Sequence, residues 1–272
     1  MNQKYSDIAE LAELIAEENI LQGRVDLERI TRRKRITMSY GNYGNYFLGE
    51  LEHLAGRFHI YINLNLLKDR RQPRTRFTVG HELGHFFIDE HRNQLKQGKS
   101  LSYAPDFNYF SNIAVEKEAN HFSSNLLMPA RRFINQIRHF EPGLEGILRI
   151  RDQFLTSIEC TSIRYITLDL MPALLIKWKS DLSFQYPFYS NSFSKLTGIK
   201  GRPSIMLKQA HLREVFQAID STVPKPDFIE EVSRLSNWLA TITPNSKWDH
   251  TVLEQTMKLG SFGAITLLLI VE

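Results

Sequence analysis

The apolar positions of the chain change period as it runs. Near the start, Ile8, Leu11, Leu14 and Ile15 recur at three- and four-residue spacing, which predicts an amphipathic helix. A second short helix holds Leu27 and Ile30. Between residues 36 and 65 the period drops to two: Phe58, Ile60, Ile62 and Leu64 alternate with His59, Tyr61 and Asn63, as a half-buried strand requires. Residues 46–54 are a further candidate strand, and the turn-rich Tyr40-Gly41-Asn42-Tyr43-Gly44-Asn45 connects strands. Helical spacing then returns. One helix, capped by Thr78, runs to about Arg92 with Leu83, Phe86 and Phe87 on its core side. Another, over 113–127, has the stripe Val115, Ala119, Phe122 and Leu126 and stops at Met128-Pro129. Pro129 opens the next helix, 130–139.

The second half is mixed. Residues 144–155 and 161–170 read as a helical pair, packed as a plain hairpin or a helix-turn-helix. The second of them lacks the dense row of Arg and Lys a DNA reader needs. Residues 174–178 are strand-like, and 207–219 and 228–239 are predicted helices. Two runs, 252–259 and 262–271, face each other across Gly260-Ser261 as a hairpin. The longest apolar run, 264–271, is too short to span a bilayer and reads as a buried strand. The expected fold class is α+β in three parts. Residues 1–140 form a mainly helical domain with a small sheet, 141–171 a helical linker, and 172–272 an α/β domain.

Composition narrows the classes. Of 272 residues, 42% are apolar and 24% charged, the balance of an ordinary globular protein, and a net charge of +4 demands no acidic partner. The single cysteine, Cys160, excludes an intrachain disulfide and a cysteine-based zinc site. The first twenty residues carry Asp7, Glu10, Glu13, Glu17 and Glu18, with neither the basic start nor the apolar stretch of a secretory signal. A cytoplasmic protein without membrane partners is expected. The basic run Arg32-Arg33-Lys34-Arg35 reads as a solvated helix end.

Candidate chemistry concentrates in His81-Glu82-Leu83-Gly84-His85. On a helix the two histidines lie about 400° apart, on one face one turn apart, where one tetrahedral zinc ion can take both nitrogens. Glu82 projects beside them, placed to take a proton from an attacking water. Two residues compete for the third ligand position. His91 has metzincin spacing, but Ile88 occupies the place where that class needs glycine to turn back. If the helix continues, His91 lies about 120° off the ligand side. Glu116 borders the core stripe of the later helix, where an unpaired carboxylate is costly, so that helix offers it as the ligand. Asn120, one turn on, is placed to orient a ligand, whereas Glu118 points elsewhere into solvent. The polar segment 93–112 shapes a cleft, with Tyr103 and Tyr109 as candidate oxyanion donors. The strand 58–64 is the candidate for holding a substrate backbone.

The run Arg74-Thr75-Arg76-Phe77-Thr78-Val79-Gly80-His81-Glu82-Leu83-Gly84-His85 is followed by Glu116-Lys117-Glu118-Ala119-Asn120-His121-Phe122 and Leu126-Leu127-Met128-Pro129. In this order and spacing the blocks resemble the ImmA/IrrE family of zinc metallopeptidases across roughly residues 1–140, with Gly80 where the family often has alanine. The resemblance implies a gluzincin-type zincin fold and Zn2+ held by His81, His85 and Glu116, with Glu82 as general base. It further implies limited proteolysis of a helix-turn-helix repressor in gene control or stress response. Proteins of the IrrE type end in a GAF-like sensor domain. The layout of 172–272 is compatible with one and its small-molecule ligand; a docking or dimerisation module is the competing reading. The alternative class is a non-enzymatic zinc-containing transcriptional regulator or partner-binding module, which has no use for Glu82.

Overall fold

The computed structural model describes residues 3–99, 114–206, 209–221 and 227–271. It is α+β and divides into two compact units, residues 1–138 with 149–157, and residues 139–148 with 158–272. Tyr103 and Tyr109 lie outside the described residues. Among the described residues, no helix is long and apolar enough to cross a membrane.

The first unit begins with α1 (Gln3–Glu18), a two-residue pair β1 (Ile20–Leu21) and β2 (Arg24–Val25), and α2 (Leu27–Arg33). A three-stranded sheet follows, made of β3 (Thr37–Gly41), β4 (Gly49–Leu54) and β5 (Arg57–Asn63) in the order β3-β5-β4. Then come α3 (Leu64–Leu67), α4 (Pro73–Phe87), α5 (Asp89–Lys96), α6 (Ala114–Leu127), α7 (Ala130–Ile137) and α8 (Leu144–Phe154), whose residues are shared between the units. The strand 58–64, expected to hold substrate, corresponds to β5. It is central, pairing parallel with β3 and antiparallel with β4, so neither of its edges is free. The edge strands are β3 and β4.

Helix α1 buries Ile8, Ala12 and Ala16, with Leu11 and Ile15 half-buried beside them, while Leu14 is 61% exposed: the inward stripe is centred on the alanines, one position round from the apolar spacing. Alanines on the inward side let α1 lie close to α6, where His121 donates to the carbonyl of Tyr5 (2.9 Å). Helix α4 starts earlier than expected. Pro73 occupies its first turn, where a missing N–H is harmless. Thr78 is therefore an interior residue, its hydroxyl donating to the carbonyl of Arg74. The same helix also ends earlier. Ile88 takes φ −74° and ψ 114°, an extended conformation that suits a β-branched side chain, and α5 restarts at Asp89.

The second unit contains α9 (Ile158–Thr167), β6 (Ala173–Trp178), β7 (Phe184–Tyr189), α10 (Asn191–Thr197), α11 (Gln209–Ser221), β8 (Ile229–Arg234), β9 (Thr251–Lys258) and β10 (Ala264–Ile270). Its strands form one antiparallel sheet in the order β7-β6-β10-β9-β8. Every residue of β10 is buried, which accounts for its long apolar run: it is central and covered on both faces. On one face Leu174, Ile176, Trp178, Leu268 and Ile270 pack with Phe193, Leu212 and Trp238. The hairpin of β9 and β10 forms as the sequence predicts. The helix predicted over 228–239 does not. Phe228, Val232, Leu235 and Leu239 have helical spacing, yet Ile229–Arg234 pairs with β9 as an edge strand, a non-local contact that overrides the local period.

Candidate metal centre

Helices α4 and α6 lie against each other at glycine distance. A Cβ on Gly84 would stand 3.1 Å from the Cα of Ala119, and Phe87 stacks on Phe122 at 5.7 Å between ring centres. This approach brings two i, i+4 pairs face to face, His81 and His85 on α4, Glu116 and Asn120 on α6. The Nε2 atoms of the two histidines are 3.0 Å apart. Glu116 reaches both, at 3.2 Å from His81 and 3.6 Å from His85. The three side chains offer ligand atoms that all lie within 4.8 Å of one another.

The outer nitrogens show how the rings are aimed. Nδ1 of His81 is 2.8 Å from Oδ1 of Asn120, an oxygen that can only accept, so His81 donates there and its Nε2 lone pair points inward. Asn120 thus stands where the sequence expected an orienting residue. For His85 the outer partner is His91, with the two Nδ1 atoms 3.2 Å apart. In the neutral rings, two imidazole lone pairs and a carboxylate converge on one point. This is a donor set suited to zinc, and the residues present fit that ion.

Burial lowers the pKa of His81, but its hydrogen bond to Glu116 and the nearby Glu82 and Glu116 charges outweigh that and raise it. Burial and the neighbouring histidines hold His85 well below the usual range.

Glu82 is buried and stands apart from the three converging groups. Desolvation pushes its pKa up to about 7, against the pull of His81 and of a hydrogen bond from the Leu51 backbone. That bond ties Glu82 to β4, whose backbone comes close because Gly49 has no side chain. A Cβ there would lie 2.4 Å from Thr78 and 2.9 Å from Glu82.

Two expectations are corrected. His91 is not remote: with the helix broken at Ile88, α5 swings it back onto His85, and it is 1% exposed. It meets the outer nitrogen of His85 and is not one of the converging groups. Glu118 is not solvated either. It is 5% exposed, accepts from His91 Nε2 at 2.9 Å and pairs with Lys4 of α1 at 2.8 Å. Lys4 also pairs with Glu90. The spacing of Glu116 and Glu118 within one motif was the available signal. Lys4, far away in sequence, gave none.

Among the described residues one other group has such geometry, His211, Glu231 and Glu254 in the second unit. His211 Nε2 lies 2.7 Å from Glu254 and 3.1 Å from Glu231, beside a cavity of about 580 Å3.

Residues 34–164 match the family described as the IrrE N-terminal-like domain, a peptidase family. No curated protein matches the chain. A solved structure, a Mycobacterium tuberculosis transcriptional regulator, is similar over 97% of this chain and 76% of its own, with a TM-score of 0.60 and 13% identity. At that identity the likeness shows a shared fold.

Proposed function

The chain belongs to the ImmA/IrrE family through residues 34–164, and from that premise we propose a zinc-dependent endopeptidase that makes limited cuts in a regulatory protein. The observation that carries this reading is the convergence of His81, His85 and Glu116 with Glu82 beside them but outside the trio. The three would hold the ion in a gluzincin-type site and leave a coordination position open. When bound, zinc supplies Lewis acidity toward the scissile carbonyl and the attacking water. Glu82 takes the proton of that water on its carboxylate and hands it to the departing amine. A carboxylate desolvated to about 7 is well matched to both transfers. The edge strand β4, joined to Glu82 through Leu51, is suited to align an extended peptide by strand addition.

The substrate we favour is a helix-turn-helix repressor, in the cytoplasm, as family membership implies. A structural neighbour named as a transcriptional regulator agrees with a role in gene control. In this reading residues 1–140 carry the peptidase, 141–171 link, and 172–272 sense a small molecule, GAF-like, or dock a partner. The non-enzymatic alternative leaves Glu82 without a task. Incubation of the zinc-loaded protein with repressors encoded beside it, read by mass spectrometry, should give one defined cut. Glu82→Gln should keep one equivalent of zinc and abolish the cut. Loss of zinc together with the cut would make Glu82 a ligand and sink the assignment.

A further inference from the structure

We propose that Lys4, Glu118 and His91 form an outer chain that positions His85, which makes α1 part of the metal centre although it precedes the matched residues 34–164. The proposal rests on the zinc reading above. Glu118 carries a lysine ammonium 2.8 Å from Oε1, so its carboxylate is an acceptor only. His91 Nε2, 2.9 Å from Oε2, must then donate. That leaves the lone pair of His91 on Nδ1, where it accepts from His85 Nδ1 at 3.2 Å. His85 is thereby fixed in the tautomer whose Nε2 lone pair faces His81 and Glu116. Each link depends on the one outside it. Without His91, nothing among these bonds distinguishes the two tautomers of His85. Without Lys4, Glu118 is a buried carboxylate facing only an imidazole.

The chain differs from the His81 side, where one amide oxygen does the same work in a single step. It also reaches the surface, since the Lys4 side chain is 39% exposed. His91 and Glu118 touch no open coordination position, so they are positioning residues and their effect should be read first in zinc affinity.

The test is competition against a chromophoric chelator on the full chain, with folding followed by circular dichroism. His91→Ala should weaken zinc binding roughly 10–100-fold, the usual range for outer-sphere partners. His91→Asn places an amide oxygen near the lost Nδ1 and should recover much of that loss. Lys4→Met should weaken binding by about two- to fivefold, as expected for a half-exposed ion pair. Affinity of His91→Ala within about twofold of the parent overturns the proposal, as does an equal loss in His91→Asn and His91→Ala. Should His91→Ala not fold, Lys4→Met decides, and unaltered zinc affinity there overturns it. Glu116→Ala, run alongside, separates the two ideas: if that variant keeps its zinc, the zinc reading has failed, not merely the chain behind His85.

Discussion

Two clusters in this molecule join histidine and glutamate side chains, in opposite proportions. One joins His81, His85 and Glu116; the other joins His211, Glu231 and Glu254. Their contacts are short in both, 3.0–3.6 Å in the first and 2.7–3.1 Å in the second. The difference lies in what stands behind them. In the first, both histidines are buried and each outer nitrogen has a buried partner, Asn120 or His91. In the second, the side chains of His211 and Glu231 are 28% and 46% exposed. Only Glu254 is buried there, its second oxygen held by the indole of Trp238 at 2.7 Å. The N–H of His211 can be shared between the two carboxylates as a hydrogen-bond donor, with no ion required. Proximity of histidine and glutamate is common to both, but fixed lone-pair direction distinguishes the first.

The sharpest way to break this comparison is by metal stoichiometry. Glu116→Ala should lower zinc affinity more than about a hundredfold, beyond the range of outer partners. His211→Ala should leave the protein at one equivalent with unchanged affinity. Two equivalents in the parent, falling to one in His211→Ala, would show that the second cluster is a metal site as well.

A smaller effect is expected inside the second cluster. Trp238→Phe removes a donor from a buried carboxylate and should cost about 1–3 kcal/mol in denaturant unfolding. No change would mean that water replaces the indole and that Glu254 is more open than its burial suggests.

The smallest effect concerns pH. Burial raises the pKa of Glu254, opposed by its bonds to His211 and Trp238. A carboxyl with a raised folded-state pKa binds its proton more tightly when folded. The stability it contributes is therefore present at low pH and declines as pH rises from the unfolded pKa through the folded one. Glu254→Gln should flatten that decline, changing stability at neutral pH by no more than about 1 kcal/mol, the scale of one hydrogen bond. Urea midpoints at a series of pH values check it; a steeper decline in the variant contradicts the sign.

What could be read from the chain alone follows the range of the interactions. The pairing of His81 with His85, and of Glu116 with Asn120, depends on one turn of helix, and the structure brings these four side chains together. The boundaries of α6 and of the β9–β10 hairpin were legible for the same reason. His91 was misplaced because its position hangs on one backbone choice at Ile88. Extended backbone at a β-branched residue redirects everything after it. Local spacing assigns Glu118 to solvent, but its cover comes from α1, more than a hundred residues earlier. Residues 229–234 have a helical period yet form β8, because the partner that decides, β9, lies beyond any local window.

The packing of α4 on α6 also constrains the order in which this protein can change. Gly80 directly precedes the histidine pair, and an alanine there looks harmless on paper. Here a methyl at position 80 would stand 2.5 Å from the hydroxyl of Ser123, which itself donates to the carbonyl of Phe77 at 2.9 Å. Such neighbours do not vary independently. Alanine can enter at 80 only once Ser123 has shrunk or turned away, and a bulkier residue at 123 is admissible only while 80 stays bare. The pair works as a ratchet: whichever position moves first decides which later substitutions remain open to the lineage.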